Sequence, residues 1–197
     1  MTTDIKTPQL TETEPEEILA VHPRKFLLWL AIVSIVMMFA AFTSAYLVRK
    51  AEGNWLEFEM PRIFWYSTGV MLLSSLSMSV AHWAAKKDRF GLLKVAISIT
   101  FVLGILFLAL QFEGWKQLVG INVYFVGNPS GSFLYVLSGM HGLHIVSGLV
   151  VLVVALVSAF RMSIHAKNLT RIWLAATYWH FLDVLWIYLF VFLLYNN

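Results

Sequence analysis

The sequence predicts an all-α integral membrane protein, a five-transmembrane-helix bundle with its N-terminus inside and its C-terminus outside. Composition is the first reason. Hydrophobic residues make up 59% of the 197 and charged residues 13%, too little polar surface to cover a soluble domain of this size. The second reason is five apolar runs close to the ~20 helical residues that cross a hydrocarbon layer roughly 30 Å thick. Barrel strands would alternate and run to about 10 residues, and these segments do neither. The third is the placement of Lys and Arg. Lys6, Arg24, Lys25, Lys86, Lys87, Arg89, Lys94, Arg161, Lys167 and Arg171 fall in the inner segments, and Arg49, Lys50, Arg62 and Lys116 in the outer ones. That asymmetry sets the N-terminus in the cytoplasm by the positive-inside rule. The net charge of +3 therefore belongs to topology and implies no nucleic-acid partner.

Residues 1–22 carry Asp4, Glu12, Glu14, Glu16 and Glu17 with Pro8 and Pro15. This is the wrong charge for a cleavable signal, and the segment is expected to be a polar, disordered cytoplasmic tail. The remaining 23–197 read as one membrane domain. Its first span is placed near 26–48. Pro61, tolerated in a helix's first turn, opens the second, near 63–85. After a tight basic turn the third, near 95–112, is the shortest, with Lys94 free to snorkel to the headgroups. An outer loop over 113–132 holds Gly114, Gly120, Gly127 and Gly131, and Asn128-Pro129-Ser130-Gly131 reads as a turn. The fourth span is placed near 133–160, the loop 161–171 returns inside, and the fifth runs near 172–195. There is no cysteine, hence no disulfide framework or thiolate metal site. Trp29, Trp83 and Trp173 at one level, with Trp55, Trp65, Trp115 and Tyr195 at the other, read as aromatic belts. Ser67, Ser74, Ser75, Ser77 and Ser79 of the second span read as contacts that let helices approach and hydrogen-bond.

Two spans carry ionisable groups at depth. Of the six histidines, His22 and His165 fall in inner segments and His82 near the inner interface. His141 and His144 lie on the fourth span; His180 lies on the fifth with Asp183. Residues three apart share a helix face, so His141, His144 and Gly148 make one stripe and His180 and Asp183 another. At 1.5 Å per residue, His144 and Asp183 both lie roughly 16–18 Å into their spans, near mid-membrane. A charge there costs at least about 2.5–3.5 kcal/mol on insertion scales, so Asp183 needs protein or water around it. Three readings follow. The four side chains hold a metal suited to imidazole and carboxylate, or they relay protons, or imidazole N–H groups bond Asp183 and tie the two helices, or frame a lipid pocket. A haem on His141 and His144 is poorer, since both rings leave one helix face.

Ser138-Gly-Met-His141-Gly-Leu-His144-Ile-Val-Ser-Gly148, followed by Tyr178-Trp179-His180-Phe-Leu-Asp183-Val-Leu-Trp186, closely resembles the double signature of subunit III of haem–copper terminal oxidases, the cytochrome c oxidase subunit III family. Phe107, Gln111 and Trp115 leaving the third span also match, as do Arg24, Phe26, Trp29, Ser34, Ala45 and Tyr46 in the first. The resemblance covers about 22–195 and is to the short, five-span form. It implies an accessory core subunit with no catalytic residue, redox cofactor or metal of its own. Haem and copper are then expected in partner subunits, and bound phospholipid in this one. The implied partners are subunits I and II and membrane lipids, with room for a larger respiratory supercomplex. The implied location is the bacterial cytoplasmic (inner) membrane, and the implied process is proton-pumping oxygen reduction in aerobic respiration. His141, His144, Gly148, Trp179, His180, Asp183, Gln111, Trp115 and Arg161 are the structural and lipid-cleft candidates. Subunit III of a quinol oxidase is the near alternative, and a small transporter using the His/Asp cluster the distant one.

One position departs from the family pattern. The serine matching Ser34 is typically followed in the family by a buried glutamate that carbodiimides attack, and here that position is Ile35. Span one contains no other acid. Carbodiimide treatment followed by peptide mapping is expected to find no adduct in span one, and only slow reaction at Asp183. A rapid adduct on Asp183 would mean that its carboxyl is protonated and open to lipid.

Overall fold

The computed structural model describes residues 23–160 and 166–196. The expected tail, His22, Arg161 and His165 lie outside the described residues. Five helices follow in order: α1 Pro23–Ala51, α2 Ile63–Lys86, α3 Phe90–Gly120, α4 Pro129–Phe160 and α5 Ala166–Asn196. All five are long and apolar enough to cross a membrane.

The helices outrun the expected spans because hydropathy marks the hydrocarbon layer while hydrogen bonding sets where a helix ends. The third is the clearest correction. Expected as the shortest, near 95–112, it has 31 residues and a length of about 46 Å at 1.5 Å per residue. Much of the expected 113–132 loop is therefore helix. Its stop lies at Asn122, whose φ of 63° is left-handed. The Val123 N–H bonds the Leu118 carbonyl at 2.9 Å and the Asn122 N–H bonds that of Val119 at 3.1 Å. This is a Schellman cap, with Leu118 and Val123 both buried beneath it. Asp88, at φ 54°, closes α2 by the same pattern, its follower Arg89 bonding the Ala84 carbonyl at 3.0 Å.

Asn128 and Pro129 also differ from expectation. They start α4 where a turn was expected: the Asn128 Oδ1 accepts the Ser130 N–H at 2.9 Å, an N-cap followed by proline at the first helical position. The Asn128 side chain further takes the Leu56 N–H and donates to the Asn54 carbonyl, pinning the α1–α2 loop to the α3–α4 loop. The inner loop expected over 161–171 is likewise shorter, since α5 begins at Ala166.

Helices α2, α3, α4 and α5 close a four-helix ring in which each touches two neighbours, and α1 packs outside it against α4 and α5 alone. The ring's interior is built from α5. Trp179 is buried and donates its indole N–H to Ser74 of α2 at 2.9 Å. Its ring lies over two glycines. A Cβ at Gly104 of α3 would fall 2.7 Å from Trp179, and one at Gly148 of α4 would fall 3.2 Å from it and 2.9 Å from Leu182. The one side chain thus meets all three other ring helices. Two turns along α5, Trp186 repeats the arrangement. It donates to Thr68 of α2 at 3.0 Å and packs on Phe107 of α3 and His141 of α4, ring centres 5.1 Å away in both cases.

Cations cluster at one end of the bundle. Lys25 lies over Trp173, Lys94 over Phe160, and Lys87 and Arg89 over Trp83. At the other end Tyr46 donates to the Asn196 carbonyl at 3.0 Å and Lys50 to the same oxygen. The expected belt holds for exposed Trp29, Trp65, Trp83 and Tyr195. Trp55 and Trp115 differ, being half-buried: Trp55 packs edge-on against Tyr46 and Trp115 bonds Ser138.

Because packed interiors tolerate added volume poorly, Gly104→Ala should destabilise the bundle by about 1–3 kcal/mol. Gly139→Ala, whose Cβ meets Trp115 at an ordinary 3.8 Å, should not. Heat survival of the folded chain in mild detergent, followed by size exclusion, compares the two.

Candidate functional site

The serines of α2 position the polar candidates. Ser74 and Ser75 are adjacent and so leave the helix on faces about 100° apart. One points into the ring, where it takes Trp179; the other points along the α2–α5 seam, where it meets His180 Nδ1 at 2.7 Å. Ser79, one turn on, meets His180 Nε2 at 3.4 Å. Ser67 accepts the side-chain amide of Gln111 at 3.1 Å, and Ser77 donates to the Ala96 carbonyl of α3 at 2.9 Å. The expectation that these serines join helices holds for all five. Ser79 also donates within its own helix, to Ser75 O at 3.1 Å.

The expected tie from Asp183 to the histidines is absent. His141 is buried, with neither ring nitrogen hydrogen-bonded among the described residues; it serves as an aromatic wall between Phe107 and Trp186. His144 donates its Nδ1–H to the Met140 carbonyl of its own helix, 2.7 Å away, and lies edge-on to Phe39 of α1. His180 faces α2. The physical reason is helical phase: three residues at 100° each leave His144 about 60° around α4 from His141, while Gly148 at seven residues is only about 20° away. The stripe expected to hold all three therefore splits. His141 and Gly148 face the ring interior, and His144 faces α1. His180 and Asp183 do share a face, but it is turned toward α2 and away from α4.

Asp183 is 4% exposed. Its polar neighbour is the Ser75 hydroxyl, and its Oδ1 is buried without a hydrogen bond among the described residues. No three His, Asp or Glu side chains among the described residues converge as a metal site would require. Trp179, Gln111, His141 and Gly148 are all interior packing positions, while Trp115 is half-buried beside Ser138.

Grooves open to the surroundings are lined by other residues. An apolar groove of about 340 Å³ runs between α1 and α5 over Val36, Phe39, Ala40, Phe181 and Tyr188. A wider one of about 840 Å³ lies at the end of the bundle away from the clustered cations, between α1 and the start of α4. Ile35 is half-buried and packs on the core. Sequence reasoning missed Gly104, Thr68 and the Ser147–Tyr178 pair at 2.7 Å. The signal for the first was present, a lone glycine amid bulky residues in a span.

His141→Phe removes no hydrogen bond, so it should change stability by less than about 1.5 kcal/mol, whereas Trp186→Ala should cost about 3–5 kcal/mol. Thermal unfolding of the two variants in mild detergent measures this. A loss of several kcal/mol for His141→Phe would reveal a polar partner on the ring.

A family model described as cytochrome c oxidase subunit III matches residues 20–197. Relatives carry two kinds of name. Cytochrome c oxidase subunit 3 of Bacillus sp. (strain PS3) is 30% identical over 172 residues, covering 84% of this chain and 83% of that one. The probable cytochrome c oxidase subunit 3 of Nocardia farcinica is 31% identical over 175 residues, covering 83% and 82%. Cytochrome bo(3) ubiquinol oxidase subunit 3 of Pseudomonas aeruginosa is 30% identical over 170 residues, covering 82% and 79%. Since the match runs from just before α1 to the end of α5 and the helices can span a bilayer five times, the chain belongs to the cytochrome c oxidase subunit III family, as a multi-pass subunit of a haem–copper oxidase in a bacterial inner membrane.

Proposed function

We propose that this chain is the accessory subunit III of a proton-pumping cytochrome c oxidase, with its N-terminus cytoplasmic and its C-terminus outside. It steadies catalytic subunit I, contacts subunit II, holds phospholipid, and carries no redox centre of its own. The observation that supports this most directly is what the signature residues do. Trp179, Gly148, His141, Gln111 and Trp186 are spent on closing the four-helix ring, and a side chain that fills a core is not free to ligate a reacting group. The apolar groove between α1 and α5 suits an acyl chain. The clustered cations at one end of the bundle suit the cytoplasmic face.

A quinol oxidase is the second reading, because the Pseudomonas relative bears that name at the same identity as the Bacillus one. The electron donor binds elsewhere in such a complex, so this chain serves either. The transporter alternative gives way to the family match.

Purification of the chain in mild detergent should bring down oxidase subunits I and II with a haem spectrum, and activity with reduced cytochrome c against quinol separates the two readings. Stripped of its partners, the chain should be colourless, without stoichiometric iron, copper or zinc; a stoichiometric metal lost in His141→Ala would overturn the accessory role.

Topology has its own test, made easy by a chain without cysteine. Single variants Glu57→Cys and Lys87→Cys sit at opposite, exposed ends of α2's flanks. In intact spheroplasts an impermeant maleimide should label the first and spare the second. The reverse pattern would invert the topology.

A further inference from the structure

The α2–α5 seam holds polar groups that ring closure does not use. On α2, Ser75, Ser79 and His82 fall at i, i+4 and i+7, one stripe along the helix. On α5, Trp173 and His180, seven residues and so only about 20° apart, lie along this stripe, with Asp183 about 60° further round. His180 joins the two helices, with Nδ1 at Ser75 and Nε2 at Ser79. At the inner end the seam opens into a cavity of about 230 Å³ lined by Lys25 of α1, His82 and Lys86 of α2, and Thr170 and Trp173 of α5. His82 belongs to both. It lines that cavity, its Nδ1 is buried and unpartnered among the described residues, and it lies within electrostatic reach of His180. At the deep end sits Asp183, next to Ser75, with one oxygen unpartnered. From Lys86 to Ser75 the stripe rises about 16 Å, half of a hydrocarbon layer roughly 30 Å thick.

The geometry points to a one-sided proton ladder: protons reach Asp183 from the Lys25/Lys86 side of the membrane through His82, Ser79, His180 and Ser75, and go no further. Each rung both accepts and donates. A water in the cavity protonates His82, which passes a proton, through one bridging water, to the Ser79 oxygen. Ser79 turns its hydroxyl away from the Ser75 carbonyl and releases that proton to His180 Nε2. His180 then gives up its Nδ1 proton to the Ser75 oxygen, and Ser75 gives its hydroxyl proton to the Asp183 carboxylate. One proton leaves bulk water and one carboxylate becomes a carboxylic acid. Both serines regain their hydroxyls, and His180 is left as the other neutral tautomer, reset by a ring turn or by the returning proton.

The ladder ends at Asp183 because the next hydroxyls of α2 are closed. Ser74 and Thr68 take the N–H groups of Trp179 and Trp186, and an indole can only donate, so it cannot accept a proton and hand one on. The surrounding titratable groups leave this route alone. From α1 comes Lys25 and from α2 Lys86, both at the mouth beside the first rung, His82. From α4 come His141, behind the Trp186 ring, and His144, against Phe39. Tyr178 and Tyr188 of α5 are bonded to Ser147 and Thr43. Helix α3 has no titratable group between Lys94 and Glu113. The ladder goes beyond the accessory role and does not depend on it.

The test reads the protonated-carboxyl infrared band that Asp183→Asn removes, in sealed vesicles containing the full chain and with the lumen clamped by impermeant buffer. A pH jump in the bath should change this band in inside-out vesicles, where the Lys25/Lys86 side faces the bath, and leave it unchanged in right-side-out ones. His180→Phe should slow the response at least tenfold, and so should His82→Leu. Ser79→Ala replaces His180→Phe if that variant fails to insert. A band that answers equally from both sides, keeps its rate in the variants, or never changes with bath pH overturns the ladder. None of these results bears on co-purification with an oxidase, so the two conclusions fail separately.

Discussion

The bundle depends on one indole. Trp179 lies where α2, α3 and α4 converge on α5, and it fits only because Gly104 and Gly148 present backbone where other residues would present a Cβ. In lipid the hydrophobic effect does not distinguish a helix neighbour from an acyl chain, so close packing and interhelical hydrogen bonds must supply the association. Trp179 offers both at once, a large flat surface against two glycines and an N–H to Ser74. Trp186 repeats this two turns away with Thr68, Phe107 and His141. The two storeys fix the rotation of α5, and that rotation decides that His180 and Asp183 face α2.

This explains how far the sequence could be read. Five spans, their side-to-side alternation in the chain and the adhesive role of the α2 serines were legible, because they follow from composition and local spacing. The family was legible from the paired motifs. Helix ends were not, since caps such as Asn122 with Val123 and Asn128 with Pro129 override where hydropathy falls off; the Asn-Pro pair held the signal and was read as a turn. The partner of Asp183 was not legible either. Spacing shows which residues share a face, but only the packing of Trp179 says which neighbour that face meets. His141 and His144 looked equivalent at three residues apart, yet 60° of helical phase sends one into the core and the other to α1.

The polar groups of the spans accordingly divide in two. Those inside the ring, Ser67 with Gln111, Ser74 with Trp179 and Thr68 with Trp186, pair side chain to side chain and hold helices in register. Those along the seam, Ser75 and Ser79 with His180, lie at 2.7 and 3.4 Å, and Asp183 beside them keeps one oxygen unpartnered among the described residues. The first set accounts for cohesion. The second is where chemistry remains available.

The position of α1 bears on how the chain is made. Its contacts are with α4 and α5 alone, the last two helices to be synthesised. It ends at Ala51, whereas α4 begins at Pro129. At about 5–20 residues per second, α1 therefore spends several seconds in the bilayer before any partner emerges from the ribosome. A helix in that situation has to be a comfortable lodger in lipid by itself. Between Lys25 and Arg49 it carries no acid and no base. An isolated carboxylate at position 35 would have raised the insertion cost by about 2.5–3.5 kcal/mol throughout that interval, and Ile35 spares the nascent chain that burden.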